Sequence, residues 1–213
     1  MVPSTVKVGG LTYKIQMKDL NRDVARTAGN CKDACGSIVI NKNNDFQIVV
    51  NTIIHELVHA IDFVYCGCSM SENTVEILSN SIYQVIVDND DFLNGNIPDY
   101  LNICGFKYKI EFPDDFQDLF CEDDNEFVLA YCDIENIKIY LSEKIVGLDL
   151  SKDIIVSNLV YAVMNAIIDR YSIKKEDFDS EMYLSQFCFG LQQVFSEINI
   201  KKIYNEMKVD EQT

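Results

Sequence analysis

A helix-forming stretch occupies residues 50–61 and reads Val50-Asn51-Thr52-Ile53-Ile54-His55-Glu56-Leu57-Val58-His59-Ala60-Ile61. Residues 156–167 align to it without a gap and read Val156-Ser157-Asn158-Leu159-Val160-Tyr161-Ala162-Val163-Met164-Asn165-Ala166-Ile167. Apolar side chains cover most of the circumference of both stretches, which indicates helices that are largely buried. We therefore predict one equivalent core helix in each half of this 213-residue chain.

Further matches extend this repeat on both sides of the helix. Chance similarity is the alternative, because amphipathic helices resemble one another whatever their origin. Several blocks in the same order favour a duplication instead. The matching blocks are Gly10-Leu11-Thr12-Tyr13-Lys14-Ile15 with Gly105-Phe106-Lys107-Tyr108-Lys109-Ile110, Ser71-Glu72 with Ser180-Glu181, and residues 82–86 with 191–195.

Each half has the pattern of a short β section followed by two helices, so the predicted fold class is α+β, built from two tandem diverged units. The predicted domains are residues 1–97 and 98–213, divided in a turn near Pro98. In the first half we expect strands at 11–17 and 38–40 and helices at 50–65 and 71–88. In the second half we expect strands at 106–110, 126–131 and 137–141 and helices at 152–171 and 177–199.

The composition excludes several classes of partner. A formal net charge of −16, from 34 acidic and 18 basic residues, repels phosphate backbones and anionic headgroups, so neither nucleic acid nor membrane is an expected partner. No apolar run approaches a membrane span and no signal peptide is recognisable, so we expect a cytoplasmic protein. The eight cysteines are scattered, and we expect most of them to be reduced. The close pairs Cys31/Cys35 and Cys66/Cys68 could supply thiolate ligands to zinc, but neither has the CxxC spacing, which favours small buried hydrophobic residues instead.

The helix at 50–61 carries the residues that indicate chemistry. His55 and His59 are four residues apart, which places both imidazoles on one helix face where they can bind the same metal ion. Both histidines of the chain lie in this motif. Zinc suits imidazole ligands and lowers the pKa of a bound water, and Glu56 lies beside the pair as a general base. Asp62 continues their polar stripe, which predicts that it also faces a cavity or solvent.

The third metal ligand separates the known classes of zinc enzyme. Metzincins need glycine and histidine where this chain has Asp62 and Tyr65, so that class is excluded. With no further histidine, a glutamate of the next helix must complete the set, and Glu72 and Glu76 are the candidates. Glu72 lies closer to the centre of the predicted buried stripe of that helix, which favours it.

Residues 52–62, the pair Ser71-Glu72 and residues 82–85 resemble the small zinc metallopeptidases of phages and prophages known as minigluzincins. The resemblance implies that His55, His59 and Glu72 are zinc ligands and that Glu56 is the catalytic base. An alignment to the repressor-cleaving relatives of that family would make Glu76 the ligand instead. The second copy has Tyr161, Ala162 and Asn165 at the motif positions, which predicts a degenerate unit without metal.

The predicted function is hydrolysis of peptide bonds in a peptide or protein substrate by a zinc-activated water, with Glu56 as general base. A tyrosine, namely Tyr65, Tyr83 or one in the second half of the chain, is a candidate for stabilising the oxyanion. One alternative is a non-catalytic zinc module that binds a protein partner, such as a phage-encoded inhibitor. Another is an acidic protein that mimics nucleic acid, for which the net charge is the sole support.

Overall fold

The computed structural model describes residues 2–20, 29–32, 36–89, 92–94, 96–120, 128–173 and 181–210. The fold is α+β, as the sequence predicts. The chain divides into two compact units. The first combines Met1–Val87 with Lys175–Thr213, and the second is Asp88–Lys174. The two C-terminal helices therefore belong to the first unit, which differs from the predicted division at residue 97.

A four-stranded sheet forms one layer of the first unit. Its strands are β1 (Thr5–Val8), β2 (Leu11–Lys18), β3 (Gly29–Lys32) and β4 (Ser37–Asn41), in the order β1-β2-β4-β3. β2 and β4 are parallel, and the other pairs are antiparallel. Alternate side chains such as Tyr13 and Ile15 are buried, as expected for a sheet with one covered face. β3 lies at the edge.

The predicted core helix begins earlier than its repeat suggests. α1 (Phe46–Ile61) starts at the N-cap Asp45, whose side chain accepts a hydrogen bond from the backbone N–H of Gln47. It continues as a π-helical segment, Asp62–Cys66, and ends at Gly67, which has a left-handed φ of 74°. This long helix packs against β3 and β4 and against two helices from the C-terminal end of the chain.

The remaining helices of the first unit are α2 (Glu72–Asp88), α5 (Glu181–Glu197) and α6 (Ile200–Asp210). α5 contacts α1, the π-helical segment and β1. Gly190 permits this close approach, because a β-carbon there would lie 2.5 Å from Cγ2 of Ile61. Tyr65 donates a hydrogen bond of 2.6 Å to Gln193, which also accepts one of 2.8 Å from the backbone N–H of Gly9.

The helical segment Phe46–Cys66 is also long and apolar enough to cross a membrane, by length and composition alone. The expectation that no apolar run approaches the length of a membrane span is therefore wrong for this segment. About 61% of its window is buried inside the protein, as in the core helix of a folded domain, so it is weak support for a membrane span.

The second unit contains a sheet of the same design as the first. β5 (Tyr100–Ile103), β6 (Phe106–Glu111), β7 (Ala130–Asp133) and β8 (Lys138–Leu141) follow the order β5-β6-β8-β7. Here too the parallel pair, β6 and β8, lies between two antiparallel edge strands. α4 (Lys152–Arg170) covers the sheet. A short helix α3 (Phe116–Phe120), a 3₁₀ turn (Phe92–Asn94) and the hairpin β9 (Lys144–Ile145) and β10 (Leu148–Asp149) complete the unit.

The predicted elements did not include the short strands β1, β3, β5, β9 and β10 or the helices α3 and α6. The predicted strand at 126–131 begins outside the described residues and is observed as Ala130–Asp133. The predicted helices at 152–171 and 71–88 agree with α4 and α2 to within one residue at either end. The equal strand order of the two sheets is what a duplication would produce, and the duplication itself stays a prediction.

Candidate metal centre

His55, His59 and Glu72 meet where α1 passes the start of α2. The two Nε2 atoms are 3.2 Å apart. Oε1 of Glu72 lies 3.1 Å from Nε2 of His55, and Oε2 lies 3.2 Å from Nε2 of His59. Each helix thus supplies part of one cluster of donor atoms. Glu72 is the first residue of α2, which is why its carboxylate can reach the histidines across the connecting turn.

The cluster fits a single metal ion. Ligands of a tetrahedral zinc at about 2.0–2.1 Å lie about 3.3 Å from one another, close to the separations found here. Two imidazoles and one carboxylate are also the donor set of catalytic zinc sites that leave a position open. Within the described ranges no other group of three such side chains has its donor atoms within 4.8 Å.

The surroundings of His55 favour the neutral imidazole that a metal needs. Burial lowers the pKa of His55 below its ordinary value, the neighbouring His59 lowers it further, and Glu72 opposes both effects. Oγ of Ser79, a fully buried residue of α2, lies 3.4 Å from Nδ1 of His55. Because this hydroxyl donates to the carbonyl oxygen of Glu76, it can accept from Nδ1–H and leave Nε2 free to bind a metal.

Glu56 is buried although it lies beside the cluster, with only 4% of its surface exposed. Its carboxylate approaches Gly29 on the edge strand β3. A β-carbon at Gly29 would lie 2.7 Å from Oε1 of Glu56 and 2.5 Å from Cγ2 of Thr52, closer than such contacts allow. The absence of a side chain at Gly29 therefore leaves room for the carboxylate, which is one physical reason for glycine within a strand.

A cavity of about 750 Å³ opens in front of the cluster, within the size range of binding sites for small ligands. One wall is the edge strand β3, and the others are α1 and α2. Asn51 and Asn80, one from each helix, are joined by a hydrogen bond of 2.7 Å on its lining. The lining consists of Gly29, Asn30, Cys31, Ile48, Asn51, Thr52, His55, Glu56, His59, Glu72, Glu76, Ser79 and Asn80.

Several sequence-based expectations are not met at this cavity. Glu76 lies on its wall but outside the cluster of donor atoms, in contrast to Glu72. Tyr65 and Tyr83 are not among the lining residues, and the hydroxyl of Tyr65 donates to Gln193 instead. The expectation that Asp62 faces the cavity or solvent is wrong, because its side chain is buried and accepts hydrogen bonds from the turn before α2.

None of the described cysteines belongs to the cluster of donor atoms. Cys66 and Cys68 are outside the donor cluster, and burial raises the pKa of the Cys66 thiol to about 12, which disfavours the thiolate that zinc would need. Cys31 lines the cavity and is not in a disulfide bond. Cys35, its neighbour in sequence, lies outside the described residues. None of the described cysteines is in a disulfide bond; they are Cys31, Cys66, Cys68, Cys104, Cys132 and Cys188.

The corresponding helix of the second unit has no such cluster among its described residues. Asn165, aligned with His59, donates a hydrogen bond of 3.1 Å to the backbone carbonyl of Tyr161, aligned with His55. Ala162 replaces the glutamate and is buried. These side chains offer neither two imidazoles nor a carboxylate.

No protein family model, no curated protein and no solved structure matches the chain. Of the residues that shape the site, sequence reasoning missed Gly29, Ser79 and the inward orientation of Asp62. Ser79 left a weak signal as a small polar residue in an apolar helix stripe. Gly29 left none, because the sequence did not predict β3.

Proposed function

We propose that this protein is a zinc-dependent peptide hydrolase of the gluzincin type. The observation that carries the proposal is the meeting of His55, His59 and Glu72 beside a buried glutamate at the wall of one cavity. Ligands, a base and room for a substrate occur together, which is the combination that metal-assisted hydrolysis requires.

In this proposal His55, His59 and Glu72 hold the zinc. A zinc ion there would supply a Lewis acid for the scissile carbonyl and a water of lowered pKa. Glu56 accepts the proton of the attacking water and passes it to the leaving amine. Its burial beside Gly29 supports this role, because the contact fixes the carboxylate at the wall of the cavity that the metal ligands also line.

The edge strand supports a peptide as the substrate. β3 pairs with β4 on one side only, so its other side has no neighbouring strand in the described part of the chain. Gly29, Asn30 and Cys31 of this strand line the cavity. An extended peptide can bind such an edge through its backbone, which brings a peptide bond towards the metal cluster.

We further propose that the chain consists of two diverged copies of a minigluzincin-like unit, of which the second has lost its metal. The sequence resemblance at residues 52–62 and at Ser71-Glu72 supports this origin, and so does the equal strand order of the two sheets.

The direct test compares Glu56→Gln with wild type. We expect the purified protein to contain about one zinc per chain and to cleave members of a mixed peptide library, detected by mass spectrometry. Glu56→Gln should retain the zinc and lose about 10²–10⁴-fold in turnover, the usual contribution of general acid–base catalysis. Glu206→Gln on α6 is the matched control and should behave as wild type, since Glu206 is not among the residues that line the cavity.

Two outcomes would contradict the proposal. Absence of bound zinc in the wild type would exclude a zinc enzyme of any kind. Bound zinc with no cleavage that depends on Glu56 would instead favour the non-catalytic alternative, in which the metal supports binding of a protein partner.

A further inference from the structure

Asp62 is a buried carboxylate that the proposed mechanism does not use. It lies three residues after His59, at the first position of the π-helical segment. Only 4% of its surface is exposed, and it is absent from the cavity lining. A buried carboxylate is costly unless its oxygens are hydrogen-bonded, so its contacts indicate what it does.

The carboxylate of Asp62 accepts hydrogen bonds from one short turn. Oδ1 accepts from the backbone N–H of Ser69 at 3.1 Å and from its hydroxyl at 3.4 Å, and Oδ2 accepts from the backbone N–H of Met70 at 3.2 Å. The backbone carbonyl of Asp62 accepts from the N–H groups of Gly67 and Cys68. Through its side chain and its backbone carbonyl, Asp62 therefore binds the four consecutive residues 67–70 of the turn.

This turn leads directly into the third ligand. Ser71 follows Met70 and caps α2, with its Oγ accepting from the backbone N–H of Thr74 at 3.2 Å. Glu72 is the next residue. Its side chain is 72% exposed, so packing does little to fix the position of its carboxylate. The backbone of the turn has to place it.

We propose that Asp62 is a positioning residue that fixes Glu72 against His55 and His59 by holding the turn at residues 67–70. It joins the helix that carries the histidines to the start of the helix that carries the glutamate. The inference rests on the metal site of the proposed function. A comparison of the two halves supports the proposed role of Asp62. The gap-free alignment places Ile168 at the position of Asp62, so the half without metal ligands lacks this carboxylate as well.

The variant Asp62→Asn tests the role with little change in shape. An amide has one acceptor oxygen and an NH₂ group, so it can accept from only one of the N–H groups of Ser69 and Met70. Its NH₂ group would face the other N–H, and two donors cannot form a hydrogen bond. Residues that orient metal ligands typically contribute about 10–100-fold to metal affinity. We expect the zinc dissociation constant, measured by competition with a chromogenic chelator, to rise by about that factor.

A matched control separates positioning from general destabilisation. Ile15→Val removes one methylene from a buried residue of β2 and should weaken the fold by a typical amount for such a change. It should leave zinc affinity within about twofold of wild type, because ligand placement is intact. The visible spectrum of the cobalt-substituted protein should change for Asp62→Asn and not for Ile15→Val, since it reports the coordination geometry.

A double-mutant comparison asks whether Asp62 acts through Glu72. In the background of Glu72→Ala, Asp62→Asn should alter zinc affinity by less than about twofold. If Asp62→Asn leaves wild-type zinc affinity unchanged, or weakens binding equally in the Glu72→Ala background, the proposed role is wrong.

Hydrogen exchange distinguishes failure of this inference from failure of the proposed function. In the metal-free protein the amides of Ser69 and Met70 should be protected, and Asp62→Asn should remove that protection. Equal exchange in both proteins would overturn the inference even if zinc binds. A wild type that binds no zinc would overturn both the peptidase and the positioning of Glu72 as a ligand, whatever the exchange shows.

Discussion

Two residues that sequence reasoning passed over, Gly29 and Ser79, shape the surroundings of the metal cluster at the scale of single residues. The motif residues themselves were predictable, because the spacing of His55 and His59 is a local property of one helix. Gly29 and Ser79 approach Glu56 and His55 from other elements, so their importance follows from contacts that no local pattern encodes.

The first prediction concerns Gly29→Ala. A β-carbon at this position would meet Oε1 of Glu56 at 2.7 Å and the carbonyl oxygen of Val39 at 3.1 Å, so the carboxylate or the strand must move. We expect turnover to fall at least tenfold while zinc content stays at the wild-type level. Gly10→Ala is the control, since a β-carbon there has nothing within 4 Å. Equal peptidase rates in the two variants would show that Glu56 does not depend on Gly29.

The second prediction compares two serines of α2, both 1% exposed. Ser79 contacts Nδ1 of His55 and Ser81 contacts the carbonyl oxygen of Ile77 in its own helix. Ser79→Ala should weaken zinc binding by about tenfold, the low end for a residue that orients a metal ligand, because the contact at 3.4 Å is long. Ser81→Ala should not change it. Competition with a chelator measures the zinc affinity of both variants. A similar loss of affinity in both would refute a specific role for Ser79.

At the scale of elements, the position of α1 in the core depends on its packing against a helix more than a hundred residues away in sequence. α5 packs on the end of α1 where Gly190 meets Ile61 and Tyr65. Both helices are predictable from their apolar periodicity, which is a local property of the sequence. The repeat places α5 in the second half, because periodicity carries no information on which partner a buried face meets.

A third prediction follows from that contact. Alanine in place of an exposed helix glycine normally stabilises a protein by about 0.5–1 kcal/mol. Gly190→Ala should do the opposite and cost about 1–3 kcal/mol, the usual effect of overpacking, since the new β-carbon would lie 2.9 Å from Cδ2 of Tyr65. Ser196→Ala, on the exposed side of the same helix, should stay within about 0.5 kcal/mol of wild type. Urea unfolding measures both, and a stabilised Gly190→Ala protein would contradict the packing.

At the scale of the whole molecule, the first compact unit is assembled from both ends of the chain. Residues 175–213 contribute α5 and α6, which bury Phe187, Leu191, Val194, Ile200 and Ile203. Burial of each such side chain stabilises the folded state by about 1.5–3 kcal/mol. Five of them together reach the order of 10 kcal/mol, as much as the net stability of a typical domain.

The fourth prediction is that a chain ending at residue 174 does not fold its first unit. It should bind no zinc, and the amides of α1 should exchange freely, because α1 would lose the helices that cover it. A chain ending at Asp210 is the control and should retain zinc and protection. Cooperative unfolding and zinc binding by the shorter chain would instead favour the division at residue 97 that the repeat suggests.

The sequence by itself determined the local features of this protein: the core helix, both histidines on one of its faces, and a glutamate at the start of the next helix. These features follow from the period of a helix and from the short connection between two helices. Both causes are local and do not depend on the rest of the chain. The tertiary structure decided that β3 and Gly29 stand beside Glu56, that Asp62 turns inward, and that the C-terminal helices join the first unit. Each of these rests on which surfaces meet, and that choice is made by the packing of the folded chain as a whole.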